Sequence, residues 1–266
     1  MSIKTILYFY RLHLNLMKTI QLNFKCFPFE KAIRFPVFVF GRIGFEGLKK
    51  GCITTRSSHC GSVYIGGGYH TALFGNANTN RSFLKISGNL FLGDSVTIDQ
   101  GCLISICKGA TVHIGEGVYI NRNVRIHAKE SIFIGDFTQI GWDSQIYDSN
   151  FHYTICHGRV SRINKPVRID HNVWIGNRVT VSKGAVLPPF SVVAAMSLVN
   201  KDFSCYGEAC LYGGVPSRFI TGDIKRLIGV EPKLALLFNH AATDSIEEED
   251  LEESIRNSFY SNKRNE

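Results

Sequence analysis

From residue 169 an aliphatic side chain returns at every sixth position: Ile169, Ile175, Val181, Leu187, Val193 and Val199. The same beat runs through Ile134, Ile140 and Ile146, through Ile114, Ile120 and Ile126, and through Ile86, Leu92, Ile98 and Ile104. Two residues before many of these stands a second small or aliphatic residue, as at Val112, Val118, Val124, Ile132, Val167, Val173, Val179, Ala185 and Ser191. A helix repeats every 3.6 residues and a half-buried strand every two, so neither accounts for a strict period of six. A short strand followed by a tight corner does account for it, with Gly, Asn and Asp accepting the corner's backbone angles. Three such hexads make one triangular coil, and stacked coils bury a continuous aliphatic column. The pattern therefore predicts an all-β chain folded as a parallel β-helix.

The phase slips at three places. The spacing is ten between Ile104 and Ile114 and eight between Ile126 and Ile134, which reads as corner insertions. The third slip lies between His152 and Ile169, where "YTICHGRVSRINKPVR" carries charges, Gly and Pro and should leave the prism as a loop. Loops projecting from a rigid repeat scaffold are where such folds place function. His152 occupies the beat where the next aliphatic residue is due, immediately before the chain departs.

Residues 1–59 lack the beat and read as a basic, aromatic cap; residues 60–222 form the β-helix; residues 223–266 read as closing helix and polar tail. The stretch "GGVPSRFITGDIKRLI" closes the coil with a helix in this reading. The net charge is +8, unevenly spread. Lys4, Arg11, Lys18, Lys25, Lys31, Arg34, Arg42, Lys49, Lys50 and Arg56 face only Glu30 and Glu46 in the first 56 residues, whereas "SIEEEDLEES" near the other end is acidic. A basic front suits an anionic membrane face, nucleic acid or an anionic small ligand, or serves solubility alone. The eight cysteines show no CxxC and read as reduced, mostly packed thiols of a cytoplasmic protein. No run reaches the ~18–20 apolar residues of a spanning helix, and no signal peptide is evident.

The beat together with "YDSNFH", "IDHNVWIGNRVTVSKGAVLP", "SVVAAMSLVNKDF" and "GGVPSRFI" resembles the left-handed β-helix (hexapeptide-repeat) acyltransferases, nearest to those that O-acetylate sugars and polysaccharides. The resemblance implies a homotrimer with clefts between neighbouring prisms, acetyl-CoA as co-substrate, no metal, a carbohydrate acceptor and no nucleic acid. It also implies His152 as general base. That role agrees with the chemistry, since attack of a hydroxyl on a thioester needs a base that titrates near neutral pH.

Asp148 either orients that imidazole or caps the corner. Carried over residue by residue, Trp174 walls the cleft, and Gly176 and Asn177 let the pantetheine arm pass close to backbone. Ala194 and Ala195 offer main-chain groups to it, and Lys201 and Arg218 meet the phosphates, where cationic side chains are needed. Three departures stand out: Met196 where relatives have glycine, Asn200 for a frequent threonine, and the longer "SCYGEACLY" before "GGVP". The expected activity is O-acetylation of a capsular, O-antigen or related glycan, with peripheral contact at the inner membrane through the basic segment. Two alternatives stay open, a small acceptor such as serine or an antibiotic, and a non-enzymatic β-helix scaffold.

Overall fold

A computed structural model of the chain describes residues 13–67, 80–224 and 226–227. Nearly all strands fall into three parallel sheets, of nine, seven and six strands, and the chain visits the three in rotation. One coil shows the rule: Tyr119–Ile120 lies in the nine-stranded sheet, Arg125–Ala128 in the seven-stranded and Ser131–Ile134 in the six-stranded. The three sheets are the faces of a prism. Register keeps the beat residues on top of one another: Ile126 pairs with Ile146, Val181 with Val199, and Ile134 with Ile169. Each of these is buried to within 1% of its surface, so the column predicted from the beat is the core. The parallel β-helix expected from the sequence is the fold of this chain.

At the edge between the nine- and seven-stranded faces each coil turns through one left-handed residue. Asn123, Asp143, Arg178 and Met196 occupy this place with φ between 56° and 60°. Asn and Asp tolerate that region better than other non-glycine residues. Here their side chains also form a ladder: Asn80 Nδ2 donates to Asn123 Oδ1 at 2.7 Å, and Asn123 Nδ2 to Asp143 Oδ1 at 3.1 Å.

The prism starts upstream of the boundary expected at residue 60. Val37–Val39, Ile43–Glu46 and Ile53–Thr55 already form a coil, pairing in parallel with Val63–Ile65, Ser82–Ile86 and Asn89–Leu92. Their buried residues alternate as in any strand, but irregular corners separate them, so no six-residue phase is visible. A helix, Leu16–Cys26, caps this first coil, with Asn15 accepting the Lys18 N–H at its start. Thr19 and Asn23 lie flat against the open strand edge. Thr19 Oγ1 accepts from Val39 N at 3.0 Å, and Asn23 Nδ2 donates to Val37 O at 2.7 Å. The edge backbone groups are thereby satisfied, which an uncovered coil would leave unpaired.

All three phase slips fall at the edge between the seven- and six-stranded faces, and the long one is a projecting loop. It carries a small antiparallel hairpin, Ile155–Cys156 with Arg159–Val160, exposed to solvent. The closing helix expected after "GGVP" is not formed over residues 213–224. Leu211–Gly213 extends the nine-stranded sheet and Arg218–Thr221 folds back on it antiparallel. Aromatic packing favours the strand, since Phe219 stacks on Tyr206 at 4.9 Å and stands edge-on to Tyr212. The expected C-terminal helix and tail over 231–266 lie outside the described residues.

Candidate active site

His152 sits at the root of the projecting loop, exposed, with its backbone N–H donated to Asn150 O at 2.7 Å. The preceding residue anchors it. Phe151 has a left-handed backbone, φ 64°, and its ring packs on His127 at 5.1 Å and Tyr147 at 6.0 Å, with the Lys129 ammonium 5.2 Å from its centre. A ring pinned on one side leaves the adjoining imidazole directed away from the coil's own packing. His152 is therefore not a core substitute for an aliphatic residue.

Asp148 is wholly buried and serves the neighbouring coil. Its Oδ1 accepts the Lys129 N–H at 2.8 Å and its Oδ2 the Glu130 N–H at 2.7 Å, while its carbonyl accepts from Lys165 N at 2.9 Å. No hydrogen bond among the described residues joins it to His152. Of the two roles expected for Asp148, capping the corner matches this geometry and orienting the imidazole does not. The histidine its charge does reach is His127. Burial, then the Lys129 charge, lower the His127 pKa, and Asp148 partly opposes them.

A second set of residues gathers at the other edge of the seven-stranded face. Gly176 and Asn177 turn the chain between Trp174–Ile175 and Thr180–Val181, and Ala194 and Ala195 turn it one coil later. The coils are in close contact here. A Cβ on Gly176 would meet Ala195 N at 2.7 Å and Val193 O at 2.8 Å, and one on Gly141 would meet Gly176 backbone at 2.6 Å. Gly141, Gly176 and Ala195 make a narrow strip of backbone, flanked by the half-exposed Trp142 and Trp174 and the exposed Met196. The Ala194 N–H is taken up by Tyr212 O at 2.9 Å, whereas the Ala195 N–H donates to no group among the described residues. Arg218 reaches the same region, because its strand partner Gly213 lies against Ala194 and Ser197. Lys201 does not. It stands at the edge of the His152 loop, its carbonyl accepting from Val186 N and its ammonium 5.1 Å from the Phe203 ring.

Sequence reasoning passed over Asn121, Arg122 and Trp142. With Asn123 they line a groove of about 340 Å³ that continues the glycine strip toward the N-terminal end. Asn121 Oδ1 and Arg122 Nε are buried without a hydrogen-bond partner among the described residues. Buried polar atoms are rarely left so, and such pairs commonly await a ligand or water. The signal was present as "INRN", where Asn121 stands at the corner position that Gly141, Gly176 and Ala194 hold in the following coils.

Within one chain, then, His152 and the Trp174–Ala195 strip occupy two different edges, separated by the width of the seven-stranded face. What the strip can do chemically is hold an extended chain against backbone. What His152 can do is accept a proton from a bound hydroxyl and return it.

No protein-family model matches the chain. The galactoside O-acetyltransferase of Lactococcus lactis subsp. lactis (strain IL1403) is 34% identical over 137 residues, covering 49% of this chain and 62% of that protein. This chain thus spans less than two thirds of that relative's length. A hexapeptide-repeat containing acetyltransferase of solved structure from Vibrio cholerae is 30% identical, covering 48% of this chain and 70% of its own, with a TM-score of 0.42. The polysialic acid O-acetyltransferase OatWY superposes with a TM-score of 0.51 at 20% identity, covering 76% and 96% of the two chains, a likeness of fold. The six-residue beat, the three-sided coil it builds and the identity to a galactoside O-acetyltransferase together make the chain similar to the left-handed β-helix (hexapeptide-repeat) acyltransferases.

Proposed function

We propose that the protein transfers an acetyl group from acetyl-CoA to a sugar hydroxyl, with His152 as general base. The observation that carries this reading is the pairing of an exposed, ring-anchored histidine with a backbone strip bounded by Trp142, Trp174 and an Ala195 N–H that has no partner among the described residues. In this reading the strip and its N–H hold the amide-rich pantetheine arm, and Arg218 faces its phosphates. Lys201 joins them only from a neighbouring copy. His152 takes the acceptor's proton as the sugar oxygen bonds to the acyl carbon. As the carbon–sulfur bond breaks, it returns that proton to the departing thiolate, so the base is regenerated. Asn121 and Arg122 supply polar contacts for the acceptor.

Two edges of one prism cannot meet, so the site takes His152 from one copy and the strip from the next, which is how a homotrimer completes it. The similarity to a galactoside O-acetyltransferase supports a sugar acceptor. The open groove and exposed hairpin suit a large glycan, of a capsule or O-antigen, over a small metabolite. Peripheral attachment at the inner face of the cytoplasmic membrane completes the reading and would place the enzyme where such glycans are built.

The deciding experiment is complementation between copies. His152→Ala and Trp174→Ala chains, each inactive in thiol release from acetyl-CoA with a galactoside or glycan acceptor, are mixed and reassembled. Recovery of activity supports a shared site. Two weak variants that stay weak when mixed, or a His152→Ala chain as active as the parent, would refute it.

A further inference from the structure

The cap helix Leu16–Cys26 has an outer surface that the prism does not use. Thr19, Leu22, Asn23 and Cys26 face the first coil and are buried. Leu16, Met17, Ile20 and Phe24 fall within about 100° of arc on another side, and Met17 is 82% and Leu16 64% exposed. The patch does not stop with the helix. The Phe24 ring stands edge-on to Phe29 at 6.1 Å, and Phe29 (68% exposed) and Ile33 (49%) carry the surface across the next turn. Six large apolar side chains thus form one continuous outer face at the N-terminal end of the prism. Apolar surface of this extent on a soluble fold marks an interaction site.

Charge tells what it faces. Lys18, Gln21 and Lys25 form the polar strip beside the apolar one, and Arg34 is exposed at its far end. Among residues 13–36 the cations Lys18, Lys25, Lys31 and Arg34 are opposed by Glu30 alone. Lys31 is drawn inward, donating to Thr55 O at 2.7 Å, and the Lys18 ammonium is held by Gln21 Oε1 at 2.8 Å and lies 5.4 Å from the Phe45 ring, so Lys25 and Arg34 are the cations left facing outward. An apolar stripe bordered by basic residues is the pattern of a helix lying in a lipid interface, and no helix of the described residues is long and apolar enough to cross a membrane.

We infer that this face, formed by Leu16, Met17, Ile20, Phe24, Phe29 and Ile33 and rimmed by Lys25 and Arg34, is a docking surface for an anionic lipid bilayer. The inference rests on the peripheral attachment in the functional reading above and identifies the residues that would make it. One short helix binds a bilayer weakly, and parallel prisms in an assembly would present several copies together, where avidity multiplies the effect.

The test is co-sedimentation of the full chain with vesicles of phosphatidylcholine alone or with an equal part of phosphatidylglycerol. Binding to the anionic vesicles, weakened by high salt, is expected. The Met17→Glu, Phe29→Glu double variant should lose about tenfold or more of that binding, since it places charges in the stripe. Lys25→Glu, Arg34→Glu should abolish the preference for anionic lipid. Both variants change exposed side chains, so unchanged melting temperatures serve as the folding control. Absence of binding by the parent chain would overturn the inference, and so would binding indifferent to both variants. A loss of assembly mass in the apolar variant would assign the face to a second copy instead, which also overturns it. Acetyl transfer to a soluble acceptor should be unaffected by either variant. If transfer is absent in the parent but vesicle binding persists, the catalytic reading fails and this one stands.

Discussion

Asp148 Oδ1 accepts the backbone N–H of Lys129 at 2.8 Å, tying the point where the long loop departs to the corner of the coil before it. With Glu130 N–H held by the other oxygen, one buried carboxylate satisfies two corner amides that have no strand partner. The residue four positions before the candidate base thus acts on the scaffold beneath the loop.

That geometry separates stability from catalysis. Asp148→Ala leaves two part-buried amides without their acceptor and should cost about 1–3 kcal/mol, seen as a lower urea midpoint. His152→Ala removes an exposed side chain and should leave the midpoint unchanged while lowering kcat by about 10²–10⁴-fold. Equal losses of stability in both variants would contradict this division.

Gly176→Val should raise the KM for acetyl-CoA more than that for the acceptor. The first added carbon already lies 2.7 Å from Ala195 N, so the strip must move or fill. Separate titrations of the two substrates check it; a change confined to the acceptor would place the strip elsewhere in the reaction.

The pKa of His127 is lowered by burial and by Lys129. In the folded protein the imidazole stays neutral at a pH where the unfolded chain begins to protonate it. The unfolded state therefore takes up more protons as pH falls below about 6.5, and stability must fall in that window. The contribution is fully present above the unfolded value and declines toward the lower folded one. His127→Gln should flatten this part of the stability profile, measured as urea midpoints across the range.

Thiol chemistry offers a map of the fold. Cys60, Cys156 and Cys205 are exposed and should react with a disulfide reagent in the native protein, while Cys26, Cys52, Cys102 and Cys210 are buried and should wait for unfolding. Cys52 is the demanding case. The Cys26 thiol, 3.8 Å away, brings its pKa down to about 6, which favours the reactive thiolate. Access governs reaction as much as ionisation does, so its 1% exposure should still hold it among the slow group. Fast labelling of Cys52 would show that the cap helix lifts from the first coil.

How much was legible in advance differed along the chain. Where the hexads are strict, as from Ile169 to Val199, each beat residue points inward by construction, so column, corners and insertions could all be read from spacing. The first coil could not, because Val37, Ile43 and Ile53 are separated by unequal turns. The terminal strand Arg218–Thr221 was missed for a related reason: its partner and its aromatic contacts come from residues whose proximity only folding creates.

The six-residue period, by itself, determined the β-helix, since no other regular structure returns a side chain to one face at that interval. It also marked His152 as the place where the scaffold is left. Tertiary structure alone decided that Asp148 serves Lys129 and Glu130, and that Lys201 lies with the His152 loop, apart from the Trp174–Ala195 strip. It alone exposed the six apolar side chains at the cap. Those outcomes depend on which coil edge each residue occupies, and an edge is a relation among three sheets that one hexad does not contain.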